Sequence, residues 1–121
     1  MTLQQLICDA ALISCIYGAG FEASYAQDAD SIVRGNEKFQ HTCAPCHGPE
    51  PGDDGRTMLP GTAALQIKYK GALPAVLEER SDLPVAVLTE YVRKGSWSMP
   101  PFRKTELTDT EIADIADYLA Q

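Results

Sequence analysis

Cys43-Ala44-Pro45-Cys46-His47 is the stretch on which the reading of this chain turns. Two cysteines separated by two residues put their thiols about one turn of chain apart, and the histidine that follows adds an imidazole. This is the C-x-x-C-H arrangement of c-type haem attachment. Each thiol can form a thioether to a vinyl group on one porphyrin edge, while His47 reaches the iron from one face as an axial ligand. Two other uses of paired cysteines fit less well. A thioredoxin-like pair opens a helix after a strand, whereas this pair follows a helical pattern with no alternating strands nearby. A zinc site asks for further Cys or His ligands, and His41 is the only other imidazole in the chain.

A haem iron that carries electrons needs a second axial ligand. Beyond residue 26 the methionines are Met58 and Met99. Met99 lies in Trp97-Ser98-Met99-Pro100-Pro101-Phe102, where paired prolines hold the backbone extended and remove two N–H donors. That suits a thioether held against iron, and Met99 is the candidate distal ligand. Met58, in the turn-rich stretch PGDDGRTMLPG, reads as pocket lining or surface.

Working outward, the periodicity predicts helices. Asp28, Asp30 or Ser31 caps a first helix running to about Gln40, with Val33, Phe39 and Ile32 on its buried side. Gly35, four residues before Phe39, provides the bare backbone that a close helix crossing requires. The last helix is the best signalled: Thr108 and Glu111 make a capping box, and Ile112, Ile115, Ala116 and Leu119 recur at helical spacing. Tyr118 is its natural partner for the Gly35–Phe39 surface. Between them, a short helix is expected from Leu73 to about Glu79. A longer one, capped by Asp82 or Ser81 with Val85, Leu88 and Val92 on its apolar face, ends at Gly95. Residues 47–61, rich in Gly, Pro and Asp, read as loop.

The N-terminal part differs in composition. No Lys or Arg precedes Arg34, and residues 10–21 read AALISCIYGAGF, almost without polarity. That length fits the apolar region of a secretory signal and falls short of the roughly 20 residues that span a membrane. Ser24 and Ala26 sit like the −3 and −1 residues of a cleavage site. Residues 1–26 are therefore expected to be a removed leader and 27–121 the working domain, exported to the periplasm. The segment lacks the usual positive start, so an N-terminal amphipathic helix stays open, as does lipidation at Cys15.

From Cys43–His47 and Met99, and over about residues 31–120, the chain resembles the class I cytochromes c. The resemblance implies an all-α, haem-centred fold in which the first and last helices cross at Gly35, Phe39 and Tyr118. It implies one covalent haem c on Cys43 and Cys46, with His47 and Met99 as axial ligands and the Pro60 carbonyl holding the His47 imidazole. The run Pro60-Gly61-Thr62, Tyr69, Arg80, Leu83, Val92-Arg93-Lys94-Gly95 and Met99-Pro100-Pro101-Phe102 also looks like the small cytochromes that serve flavoprotein dehydrogenases, such as the cytochrome subunit of 4-cresol dehydrogenase.

The function so implied is one-electron transfer and not catalysis. The expected donor is a flavoprotein oxidoreductase and the acceptor a downstream cytochrome or terminal oxidase. The alternatives are a diffusible respiratory carrier reduced by a quinol-oxidising complex, a gas-binding haem protein, and a purely structural haem subunit. The net charge is −7, or −5 without the leader acids Asp9 and Glu22, which argues against nucleic-acid or anionic-membrane binding. Arg93, Lys94, Arg103 and Lys104 collect near Met99, either as solvated flanks or as a local positive rim.

Overall fold

The computed structural model describes residues 28–52 and 54–121. The leader, the lipidation alternative and the cleavage site lie outside these residues. The described part is all-α, without a β-sheet. Helix α1 spans Ala29–Thr42, α2 Ala44–His47, α3 Pro60–Tyr69, α4 Val85–Lys94 and α5 Asp109–Leu119, and a 3-10 turn covers Leu77–Glu79. No described helix is long and apolar enough to cross a membrane.

The crossing of α1 and α5 is the centre of the fold. Asp28 caps α1, its carboxylate accepting from the Asp30 N–H. In α5 the capping box of Thr108 and Glu111 forms in both directions. A Cβ on Gly35 would lie 2.0 Å from the Asp114 carbonyl oxygen and 3.0 Å from the Tyr118 Cβ, so a side chain there is incompatible with this approach. On either side of the contact the helices are pinned by polar pairs. The Ser31 hydroxyl donates to Asp117 (2.7 Å), Arg34 makes a two-toothed contact with the buried Asp114 (2.9 and 3.1 Å), and Lys38 pairs with Glu111 (2.6 Å). Phe39 and Tyr118 meet with ring centroids 5.6 Å apart, within the range of favourable aromatic pairs.

Phe39, Leu107 and Ile112 are the largest fully buried side chains, and Val92, Ile115 and Leu119 complete the apolar cluster. Phe39, Ile112, Ile115 and Leu119 were anticipated from spacing. Leu107 was not, because it precedes the cap and belongs to no periodic pattern. Val33 departs from expectation: it is 59% exposed. The α1 stripe against α5 runs through Ser31, Gly35 and Phe39, and Val33 points away from it.

The middle of the chain needs more correction. Residues 47–61 were expected to be loop, but α3 begins at Pro60 and continues to Tyr69. The expected helix from Leu73 to Glu79 is reduced to the 3-10 turn Leu77–Glu79. Neither Ser81 nor Asp82 caps α4. Pro84 occupies the N-cap position without a side-chain cap, and Asp82 turns back to hold the buried Arg80 guanidinium (2.8 and 2.7 Å). A carboxylate claimed by a neighbouring cation is lost to capping. Val85 is exposed, while Val92 is buried as expected.

Candidate cofactor site

The C-x-x-C-H turn grows directly out of α1. The Cys43 N–H donates to the Phe39 carbonyl (2.8 Å), tying the first cysteine to the central aromatic of the core. Cys46 and His47 then donate their N–H groups back to the Cys43 carbonyl (3.0 and 2.9 Å). One helical turn thus carries two free thiols and an imidazole. Cys43 is half-buried and Cys46 exposed. Burial, and then the neighbouring Cys46, pushes the Cys43 thiol up to about 11.

His47 is held on its other side by α3. A Cβ on Gly61 would fall 2.6 Å from His47 Cε1 and 2.7 Å from both Nδ1 and the Cys46 carbonyl oxygen. The first turn of α3 therefore lies edge-on against the ring, closer than any side chain at that position allows. The Thr62 hydroxyl fastens this contact by donating to the Gly48 carbonyl (2.8 Å). His47 Nδ1 is buried and has no hydrogen-bond partner, so no hydrogen bond joins it to the Pro60 carbonyl here. Desolvation lowers the His47 pKa, which favours a neutral ring with a lone pair to offer.

Met99 reaches the same region from the far end of the chain. Beyond α4, Gly95 (φ 69°) turns the backbone, and Ser96 and Met99 close a tight hairpin through two backbone hydrogen bonds (3.0 and 2.9 Å). The Phe102 N–H donates to the Val92 carbonyl (2.8 Å), returning the loop to α4. Met99 and Phe102 pack on the core cluster that Cys43 and Ala44 also touch. A surface cleft of about 410 Å³ lies between Pro100, Pro101 and Phe102 on one side and His41 and Thr42 on the other. The fold thereby brings the Met99 loop and the C-x-x-C-H turn, about fifty residues apart in sequence, onto one core. Met58 is exposed just before α3. Among the described residues no three His, Cys, Asp or Glu side chains are grouped to hold a bare metal ion.

Sequence reasoning missed three contributors. Gly61 and Thr62 were read as a family-like run and not as the support of His47, because α3 was not foreseen. Arg80 was noted only for resemblance, yet it is buried, paired with Asp82 and set over the Tyr69 ring at 5.0 Å. The basic residues near Met99 do not form a free positive rim. Arg93 and Lys104 both pair with Asp109 (2.6 Å each), Lys94 with Glu90 (2.6 Å) and Arg103 with Glu106 (2.8 Å). His41 is exposed on the last turn of α1.

A small all-α domain with a thiol–imidazole turn and a methionine loop on one core is the class of protein these elements define. The chain belongs to the family described as cytochrome c oxidase, cbb3-type, subunit III, whose model matches residues 30–119. No curated protein and no solved structure matches it. Membership makes the chain an electron-transfer component and not a catalytic enzyme, and the family's cytochrome character implies a haem cofactor.

Proposed function

We propose that residues 27–121, freed of the leader 1–26 and exported to the periplasm, form a class I monohaem cytochrome c that carries one electron. Cys43 and Cys46 would hold the porphyrin edge as thioethers, with His47 and Met99 as axial ligands. The observation that carries this reading is the single turn Cys43–His47, which offers both thiols and an imidazole whose ring is clamped by Gly61. The donor set suits haem: a porphyrin supplies four equatorial nitrogens, so the protein need provide only the two axial atoms and two anchors. When bound, the group supplies a one-electron Fe(II)/Fe(III) couple. Thioether ligation by Met99 favours the reduced state relative to a second imidazole. The close approach of α3 would hold the His47 ring in one orientation for such a group.

The donor is a flavoprotein dehydrogenase that oxidises a small organic molecule and discharges its two electrons singly. The motif run from Pro60-Gly61-Thr62 to Met99-Pro100-Pro101-Phe102 supports it. A second reading, a respiratory carrier between a quinol-oxidising complex and a terminal oxidase, is favoured by the oxidase description of the matching family. Stopped-flow mixing of oxidised protein with each reduced donor separates them. Reduction by the flavoprotein much faster than by free reduced flavin is expected; a rate no faster assigns the donor role elsewhere. Loss of the weak long-wavelength band of the oxidised form in Met99→Ala, with its persistence in Met58→Ala, tests the distal ligand.

A further inference from the structure

The hairpin before Met99 is built against the preference of its own sequence. Its two-residue tip is Trp97-Ser98, and Trp97 carries a φ of 53°, while Ser98 is not in the positive region. A positive φ at the first tip position is where glycine is the default, because a side chain there crowds the following carbonyl. A bulky aromatic suits the position poorly. Burial does not compensate, since the indole is fully exposed. Neither local conformation nor packing accounts for tryptophan here, and a strained, exposed residue beside a site points to a functional cause.

We propose that Trp97 is the anchor through which this domain docks on the flavoprotein dehydrogenase, which receives the indole in an apolar pocket beside its flavin. The inference rests on the electron-carrier reading above. Position identifies the occupant. Trp97 lies two residues from Met99, and a Cβ on Gly95 at the base of the turn would meet the Met99 carbonyl oxygen at 2.6 Å and the Pro101 nitrogen at 3.0 Å. The closely packed base holds the indole at a fixed place relative to Met99. A carrier must present the surface nearest its iron to its partner, and this turn is the exposed surface next to the candidate ligand. Charge narrows the partner further. Arg93, Lys94, Arg103 and Lys104 are answered within the chain by Glu90, Glu106 and Asp109, so the loop offers a charged partner little. Tryptophan, with a large apolar body and one N–H donor, is among the residues that most often dominate interface energetics. The step served would move one electron from the partner's reduced flavin to ferric iron, with no bond made or broken.

The test uses haem-loaded protein, with the reduced flavoprotein dehydrogenase and the reduced quinol-oxidising complex as donors. Trp97→Gly relieves the backbone strain, and Trp97→Asn, which also tolerates this φ, is the second variant. Both are expected to keep the wild-type visible spectrum and reduction potential, with a thermal midpoint no lower than that of the wild type. Both should lower the second-order rate constant with the reduced flavoprotein about tenfold or more. Trp97→Phe should keep most of the rate, and added salt should change it little. Equal rates for wild type and Trp97→Gly overturn the anchor and leave the carrier reading standing. If the flavoprotein does not outpace free reduced flavin on the wild type, whether or not the quinol-oxidising complex does, the partner assignment fails and the anchor with it. Trp97-dependent flotation with phosphatidylglycerol vesicles at unchanged donor rates would make the indole a membrane contact and overturn the proposal.

Discussion

Two glycines decide geometry that no other residue could. Alanine is a better helix former than glycine by about 1 kcal/mol, so Gly35→Ala and Gly61→Ala should each stabilise if only local propensity counted. At Gly35 the added carbon would lie 2.0 Å from a backbone oxygen of α5, which cannot swing aside. Gly35→Ala is therefore expected to lower stability by about 3 kcal/mol or more, at or beyond the upper end for overpacking, as read from the urea midpoint. At Gly61 the obstacle is the His47 ring at 2.6–2.7 Å together with the Cys46 carbonyl. Gly61→Ala should lower the thermal midpoint of the haem-loaded protein and alter its axial-ligand spectrum. A rise in midpoint with an unchanged spectrum would show that the ring does not depend on this contact. Phe39, fully buried, links the core to the site through its backbone carbonyl, which accepts from the Cys43 N–H.

Among the elements, α5 is specified locally and α3 is not. Thr108→Ala removes the hydroxyl half of the capping box and should cost about 1 kcal/mol. The Glu111 half makes the helix pH-sensitive. Its hydrogen bond to Lys38, then those from the Thr108 backbone and hydroxyl, hold its carboxyl down to about 2 from the usual 4.5. A depressed folded-state pKa contributes stability above pH 4.5 that is lost as the pH falls toward 2. Glu111→Gln should therefore flatten the fall in urea midpoint across that window, with only a modest loss at neutral pH because the pair is partly solvated. An unchanged acid profile would place the sensitivity in other carboxylates. By contrast, α3 has no side-chain cap at Leu59. Its start is set by Pro60 at the first position, by Thr62 bonding to Gly48 and by the contact with His47. A cap is read within four residues, but a bond to Gly48 is visible only once the chain has folded back.

At the scale of the molecule, the core is small for the number of helices it joins. Among the described residues only Phe39, Leu107 and Ile112 are fully buried large side chains, while Ile67, Val85 and Val87 lie exposed on α3 and α4. A domain of this size has little stability to spare, and the proposed haem would supply the missing apolar contacts. A haem-free preparation should accordingly show a weakened helical signal in far-UV circular dichroism and a broad thermal transition without a clear midpoint. A native-like spectrum with cooperative unfolding would mean that the α1–α5 crossing suffices alone.

The sequence by itself determined the elements whose signals are local. The Cys43–His47 turn, the Thr108 cap, the apolar stripe of α5 and the Gly35–Phe39 spacing of α1 all depend on residues within a few positions, and the structure forms each of them; of the three caps the sequence offers α1, the structure takes Asp28. Tertiary structure alone decided which competing partner a polar group would take. Asp82 could cap α4 or hold Arg80, and the buried guanidinium won, since a buried charge left unpaired costs more than a missing cap. Val33 could face the core or water, and α1 meets α5 along Ser31, Gly35 and Phe39, which leaves Val33 in water. The four cations near Met99 could form an open rim or close on nearby acids, and folding brought Asp109 within 2.6 Å of two of them. Even where the partners are near in sequence, as Arg80 and Asp82 are, the outcome turns on burial and distances that only the folded chain sets.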